Sequence, residues 1–309
     1  MPKHNAIKGF TLIEVSIVLV IIGLIVGGVL VGQNLITAAE VRATISQVEK
    51  YNQAANTFRG KFGYLPGDIN ATAASQFGFA ARGVYAGQGD GNGILEGNYN
   101  NSTSGHASLW QSAGETVMFW VDLSSPVAGN LIDGGFNTAS STAIPASDIT
   151  GTAINLYFPQ AKIGRGNYFY TYSSYFWNGS NDILLGDNYF GLSAVYDIEA
   201  NSANGRVQSN RTIPVAQAYA IDKKVDDGLP ESGNVIAMFL SPTNGDLMWA
   251  QASEQWAFTS TGLTVAPGQI PASSTTCFDN GNIAAATATY SMNQNNGAGA
   301  NCALSFKMQ

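Results

Sequence analysis

The sequence predicts an α+β protein, with one long N-terminal helix packed on an antiparallel β-sheet head. Three features predict it. No residue is charged from Val15 to Ala39, a run of 25 positions. Beyond it, Val41, Ile45, Val48, Tyr51, Ala55, Phe58 and Phe62 recur at steps of three and four, the period of a helix with one buried face. Further on, short apolar runs flank a Pro-Thr-Asn-Gly turn, as antiparallel strands do.

The uncharged run would make a helix about 37 Å long, enough to cross a hydrocarbon core of roughly 30 Å. It is too long for a secretory signal, and no small-x-small cleavage site closes it. Lys3, His4 and Lys8 precede it, which places the N-terminal end in the cytoplasm and everything after the span outside. On the amphipathic continuation Arg42, Gln47, Glu49, Lys50, Gln53 and Arg59 fill the polar face, a half-exposed pattern. Gly63 and Pro66-Gly67 end the helix near Lys61. Gly23, Gly27, Gly28 and Gly32 let helices approach closely, and each weakens the helix by about 1 kcal/mol relative to alanine.

Glu14 is the anomaly, because a carboxylate in hydrocarbon is costly unless it finds a partner. A cut between Gly9 and Phe10 would create an amine four residues away, a cation able to pair with Glu14 of a neighbouring copy. Lys8-Gly9-Phe10-Thr11-Leu12-Ile13-Glu14-Val15, followed by an apolar helix, resembles the leader of type IV prepilins. Type II secretion pseudopilins and competence pseudopilins share this class III signal. The resemblance implies that a prepilin peptidase cuts after Gly9 and methylates Phe10. It also implies that Glu14, with Thr11 beside it, registers subunits entering a filament. The implied partners are the peptidase, other pilin or pseudopilin subunits and an inner-membrane assembly platform with its cytoplasmic ATPase. The implied location is the inner membrane, single-pass with the head outside, then a pilus or a periplasmic pseudopilus. On this reading the chain divides into a leader (1–9), a transmembrane and amphipathic helix (10–62) and an extracytoplasmic head (63–309). Many major pilins carry a proline midway along the helix. None stands between Phe10 and Pro66 here, which leans towards a pseudopilin or minor pilin.

Charged residues make up 11% of the chain. From Gly63 onward 18 acidic and 8 basic residues give a net of −10. That balance argues against nucleic-acid binding, which needs a basic face, and suits binding of cations. Cys277 and Cys302 are the only cysteines. Outside the cytoplasm they pair or remain free thiols, and their spacing is not a zinc pattern. Many type IV pilins close a C-terminal disulfide loop, so the resemblance implies pairing. Such a bridge adds about 3 kcal/mol.

In the head, Ser108–Leu123 and Pro214–Val225 read as helices. Asn234–Ser241, Asp246–Gln251 and Gln255–Thr261 read as strands, the first two joined by a turn at Pro242-Thr243-Asn244-Gly245. Asn167–Trp177 is aromatic-rich and reads as a buried strand, with a sticky surface for a partner or glycan as the alternative. Ser124–Ile154 lacks periodicity and reads as loop. Pro66–Asn70, Met118–Leu123 and Ile221–Val235 resemble phrases of larger pilin-like proteins, without an established chemistry.

The metal candidate is the glycine-rich run Gly87–Gly97, where Asp90, Asn92 and Glu96 supply oxygen ligands suited to calcium, with a flexible, polar turn as the alternative. As an EF-hand it fails, since Gln88 and Tyr99 stand where the anchoring carboxylates belong. Asp222, Asp226, Asp227 and Asp246 form a second set. No other cofactor is expected. Nor is enzymatic activity: after Gly9 the sequence holds one histidine, His106, with no Gly-x-Ser-x-Gly elbow to support a triad. The expected function is a structural subunit of a type IV pilus or type II secretion-type pseudopilus. The alternative is a membrane-anchored binding protein or adhesin with an uncut helix.

Overall fold

The computed structural model describes residues 11–98, 107–108, 112–177, 182–200, 205–243, 246–251, 255–259, 262–264, 268–283 and 286–309. Gly9, Phe10 and His106 lie outside the described residues. Thr11 opens a single helix of 51 residues, α1 (Leu12–Phe62). Gly63 ends it in the left-handed conformation, φ +81°, and donates its N–H to the Arg59 carbonyl at 2.8 Å. That φ favours glycine, the usual residue just past a helix end.

The helix has two environments. From Leu12 to Ile36 its large apolar side chains are exposed, so the head covers none of them. From Val41 onward Thr44, Val48, Tyr51, Ala54, Ala55 and Phe58 are buried against the head. Ile45 and Phe62 are only partly buried, at the margins of the predicted stripe. Tyr51 sits at the centre of the contact. Its ring meets Trp120 edge-on at 5.0 Å and Phe169 at 5.4 Å.

The head is built on one antiparallel sheet. Its spine is the strand Asp182–Ile198, a 17-residue element that the sequence reading missed. Tyr168–Trp177 pairs along one edge of it, with Phe169 opposite Leu192. Leu304–Lys307 pairs along the other, with Phe306 opposite Phe190, and carries Val235–Ile236 on its outer side. Ile149–Thr150 and Val207–Asn210 flank the far end of the spine. Gly191 makes one close contact possible: a Cβ there would fall 2.1 Å from the Tyr170 ring. The predicted aromatic strand is therefore a strand, and Tyr168, Phe169, Tyr170 and Tyr172 are buried in the core.

Among the described residues the head holds three further α-helices: α2 (Ala71–Phe77), α3 (Glu115–Ser124) and α4 (Val215–Val225). α4 matches its predicted span with Pro214 as N-cap. α3 is shorter than predicted. Gly114, at φ +92° and ψ −160°, cannot be helical, so the helix starts at Glu115. Ser108 belongs instead to a two-residue strand with Ala107 that pairs with Gly97–Asn98. The Asn234–Ser241 strand breaks at Ala237: Val235–Ile236 joins the main sheet and Met238–Leu240 pairs with Leu247–Trp249. Of the Gln255–Thr261 strand, Phe258–Thr259 forms a short hairpin with Gly262–Leu263. Most of Ser124–Ile154 is irregular, but its end holds Ile149–Thr150 and the start of a 3-10 turn, Gly151–Leu156.

Cys277 and Cys302 are bonded, with Cα atoms 4.7 Å apart, and both are buried. Cys302 ends the strand Ala300–Cys302, which pairs with Ile213–Pro214, and the chain then enters the sheet at Leu304. The bridge therefore fixes the strand beside the spine. Cys277→Ser together with Cys302→Ser should lower the unfolding free energy by about 3 kcal/mol. A urea titration of the full chain in detergent, oxidised against mutant, checks it.

Candidate functional site

Two regions carry chemistry. The first is the helix start. Glu14 Oε2 accepts from the Thr11 N–H at 2.8 Å and from the Thr11 hydroxyl at 2.8 Å, while the Glu14 N–H donates back to Thr11 Oγ1 at 3.3 Å. This is a complete capping box, satisfying reciprocally two groups that a helix terminus leaves open. The two residues predicted to act together thus form one polar unit at the tip of an exposed apolar rod. The rod has a mean hydropathy of 2.9 over its most apolar 18 residues, none of them buried.

The second region is an acidic site under the glycine-rich loop. The Pro66-Gly67-Asp68 turn is pressed onto the first turn of α3. Gly67 has φ +86°, and a Cβ there would fall 2.2 Å from the Glu115 carbonyl oxygen. Its N–H donates to buried Asp122 at 2.6 Å, and Asp122 is in turn paired with buried Arg82 at 2.5 Å. This anchoring sets Asp68 beside Glu115. The loop then wraps both carboxylates with backbone donors. Gly91 and Gly93 donate to Asp68 at 2.7 and 2.8 Å. Gly89 and Glu96 donate to Glu115 at 2.9 and 3.0 Å. Asp90 closes the group: Asp68, Asp90 and Glu115 each offer an oxygen within 4.8 Å of the others.

Of the predicted ligands, only Asp90 belongs to that trio. Asn92 donates to Asp90 from its backbone and its side-chain amide, both at 3.0 Å. Glu96 is buried, and its charge acts on Glu115. The members that the sequence reading missed are Asp68 and Glu115. Asp68 stood in a phrase already singled out, Pro66–Asn70, but without a partner in view. In the second set Asp222, Asp226 and Asp227 converge; Asp246 is outside the trio. Asp222 accepts from the Tyr290 hydroxyl at 2.7 Å and the Gly228 N–H at 3.0 Å.

Burial raises the proton affinity of Asp68 and Glu115 under the loop and of Asp222 in the second carboxylate set. Desolvation pushes Asp68 up to about 7 against the pull of the Gly93 and Gly91 amides. It pushes Glu115 well above the ordinary carboxylate range, helped by the charges of Asp68 and Glu96. Asp222 is also pushed up to about 7 by burial. A crowded set of desolvated carboxylates is relieved by a proton or by a hard cation.

The architecture is pilin-like: a long apolar helix, with a capped glutamate in its first turn, carries an antiparallel α+β head. Residues 4–30 match the model of the prokaryotic N-terminal methylation motif, the signature of type IV pilins and pseudopilins. The motif marks the chain as a prepilin-type substrate, with the N-terminal processing and pilin assembly that this implies in general, and the apolar helix is consistent with membrane anchoring. No curated protein and no solved structure matches the chain.

The raised acids give a signed pH dependence. With Asp68 and Asp222 titrating near 7 when folded and near about 4 when unfolded, the native state binds more protons between those values. Stability therefore falls as pH rises from about 4 to about 7. Urea midpoints of the full chain in chelator from pH 4 upward should fall over that interval, and Asp222→Asn should flatten part of the slope.

Proposed function

We propose that this chain is a structural subunit of a type IV pilus or of a type II secretion-type pseudopilus, cut after Gly9, methylated at Phe10 and assembled through α1. The observation that carries the reading is the pairing of the capping box with the free apolar half of α1. A side chain that would burden an isolated membrane helix is held at its end, poised to exchange its Thr11 contacts for the Phe10 amine of a neighbouring subunit. That exchange converts a hydrogen-bonded carboxylate into an ion pair in a low-dielectric core, where an attraction between opposite charges is least screened. The rod itself then packs against other rods, with Gly23, Gly27, Gly28 and Gly32 permitting close approach. The reading assigns no catalytic step to the chain and no nucleic-acid partner to its acidic head.

The head, on this reading, is carried outside the cytoplasm, where calcium is the candidate ion for the Asp68, Asp90 and Glu115 set. The donor chemistry fits: carboxylate oxygens converge on a rigid loop, the kind of hard-oxygen set that calcium takes. The backbone amides already on Asp68 and Glu115 fix their orientation.

Glu14→Ala separates the assembly reading from an uncut membrane anchor. The variant should insert in the membrane and be processed, yet its share in sheared or cross-linked filaments should drop roughly tenfold or more. Normal incorporation of the variant, or a chain that keeps residues 1–9 in the mature cell envelope, would sink the proposal. For calcium, 100 Kd of the ion stabilises by about 2.7 kcal/mol, a rise in Tm of roughly 5–11 °C at the roughly 2–4 °C per kcal/mol of a head of this size. Asp90→Asn, at an exposed position, should remove most of that rise without lowering the Tm measured in chelator.

A further inference from the structure

A groove of about 580 Å³ opens between α1 and the segment around Gly151–Leu156. That volume lies within the range of small-molecule sites, roughly 300–1,000 Å³. Its back wall is aromatic, formed by Tyr51, Phe136 and Phe158 of the core. Its rim is polar: Ser46, Gln47 and Lys50 on the helix face Asn155, Gln160 and Lys162 across the opening, with Asp133 at one end.

The rim is held rigidly. Gln47 Nε2 donates to the Tyr51 hydroxyl and to the Gln160 carbonyl, both at 2.8 Å, and its Oε1 accepts from the Lys162 N–H at 2.9 Å. Asn155 Oδ1 accepts from Gln160 Nε2 at 2.9 Å and from the Tyr168 hydroxyl at 3.0 Å. This network assigns the amide orientations. It leaves Asn155 Nδ2 as a donor, Gln160 Oε1 as an acceptor and Ser46 Oγ as either, none with a protein partner among the described residues. Lys50 and Asp133 neutralise each other at 2.5 Å, so Lys162 leaves the rim with one net positive charge.

This inventory selects a ligand class. Free donors and acceptors interleaved above aromatic carbon match groups that donate and accept at once, namely hydroxyls. An apolar ligand would bury the rim amides without partners. A phosphate would meet neither an arginine fork nor a helix N-terminus, the usual devices for that anion, and would meet the Asp133 carboxylate. We propose that the groove is a saccharide-binding site for a sugar unit that is neutral or carries a single carboxylate. The site is independent of the assembly reading, since its residues belong to the head and the buried half of α1.

The test uses the full-length chain in a zwitterionic detergent, which brings no sugar of its own. Saturation-transfer NMR would be recorded with glucose, galactose, N-acetylglucosamine and glucuronate, and with inorganic phosphate as competitor. At least one sugar should show transfer with a Kd of about 1 mM or tighter. Ala43→Trp, which fills the groove from an exposed helix position, should abolish the transfer. Gln160→Ala, which removes one rim acceptor, should weaken it roughly tenfold, with the Tm of both variants near that of the parent. Transfer from no sugar, equal transfer in parent and both variants, or displacement of every bound sugar by phosphate would overturn the proposal.

Discussion

Everything in this molecule depends on the aromatic contact at Tyr51. A helix of 51 residues cannot be stabilised along its length by a head that touches only its second half. The head must therefore grip firmly where it does touch. Tyr51 supplies that grip, because Trp120 of α3 and Phe169 of the sheet close on its ring from different elements. Phe190 of the spine strand and Phe119 of α3 extend the same cluster. Aromatic pairs of this geometry add about 0.5–1.5 kcal/mol each beyond their burial, so one residue of the helix is tied to both α3 and the main sheet of the head.

The acidic site is a consequence of the same arrangement. α3 is held against α1 and the sheet by Trp120 and Phe119, and Thr171 of the sheet donates to the Thr116 carbonyl at 2.7 Å. Its first turn is therefore fixed, and Glu115 with it. The chain leaving α1 turns back at Pro66-Gly67 over that first turn, which delivers Asp68. A glycine-rich loop then lies close enough to give its amides to both carboxylates. Gly87, Gly89, Gly91 and Gly93 all have positive φ, a conformation that glycine adopts at little cost. The glycines that looked like a flexible loop in the sequence are instead the means by which two buried acids are satisfied.

The long helix was legible because its signal is long: seven apolar positions at one period outvote any local ambiguity. The spine strand was not, although it is the longest among the described residues. Its sequence, Asp182–Ile198, is interrupted by Gly186, Asp187, Asn188 and Gly191, which break the alternation that marks a half-buried strand. Those residues answer to tertiary needs. Asn188 donates to the Gly93 carbonyl and accepts from the Leu95 N–H, and Gly191 makes room for Tyr170. The acidic site was half legible for a related reason. Asp90 and the glycines marked a loop that offers oxygen ligands, but Asp68 and Glu115 come from a turn and a helix elsewhere in the sequence. Only packing brings such groups together, and no spacing rule encodes it. The helix start at Glu115 was missed because the apolar period continues upstream through Leu109 and Ala113, while the backbone at Gly114 does not follow it.

One further boundary coincides with all of these. The last uncharged residue of the long run is Ala39, the first carboxylate beyond the run is Glu40 and the first buried core residue is Val41. Glu40 does not simply face water. Its Oε2 accepts from Gln217 of α4 at 2.8 Å, and Gln217 Oε1 accepts from Arg165 at 2.7 Å. Arg165 itself approaches Glu40 at 4.0 Å. The point where apolar surroundings must give way to water is thus the point where the head takes hold of the helix. Surface ion pairs contribute little to stability, so the value of this network lies in its position. It links two head elements to the first polar turn above the apolar rod, and it sets the angle at which the rod leaves the head. Below it the helix has only its own hydrogen bonds to keep it straight, and four glycines weaken it there. Any bending or stretching demanded of the rod can therefore be absorbed below Glu40 without reaching Tyr51, the sheet or the acidic loop.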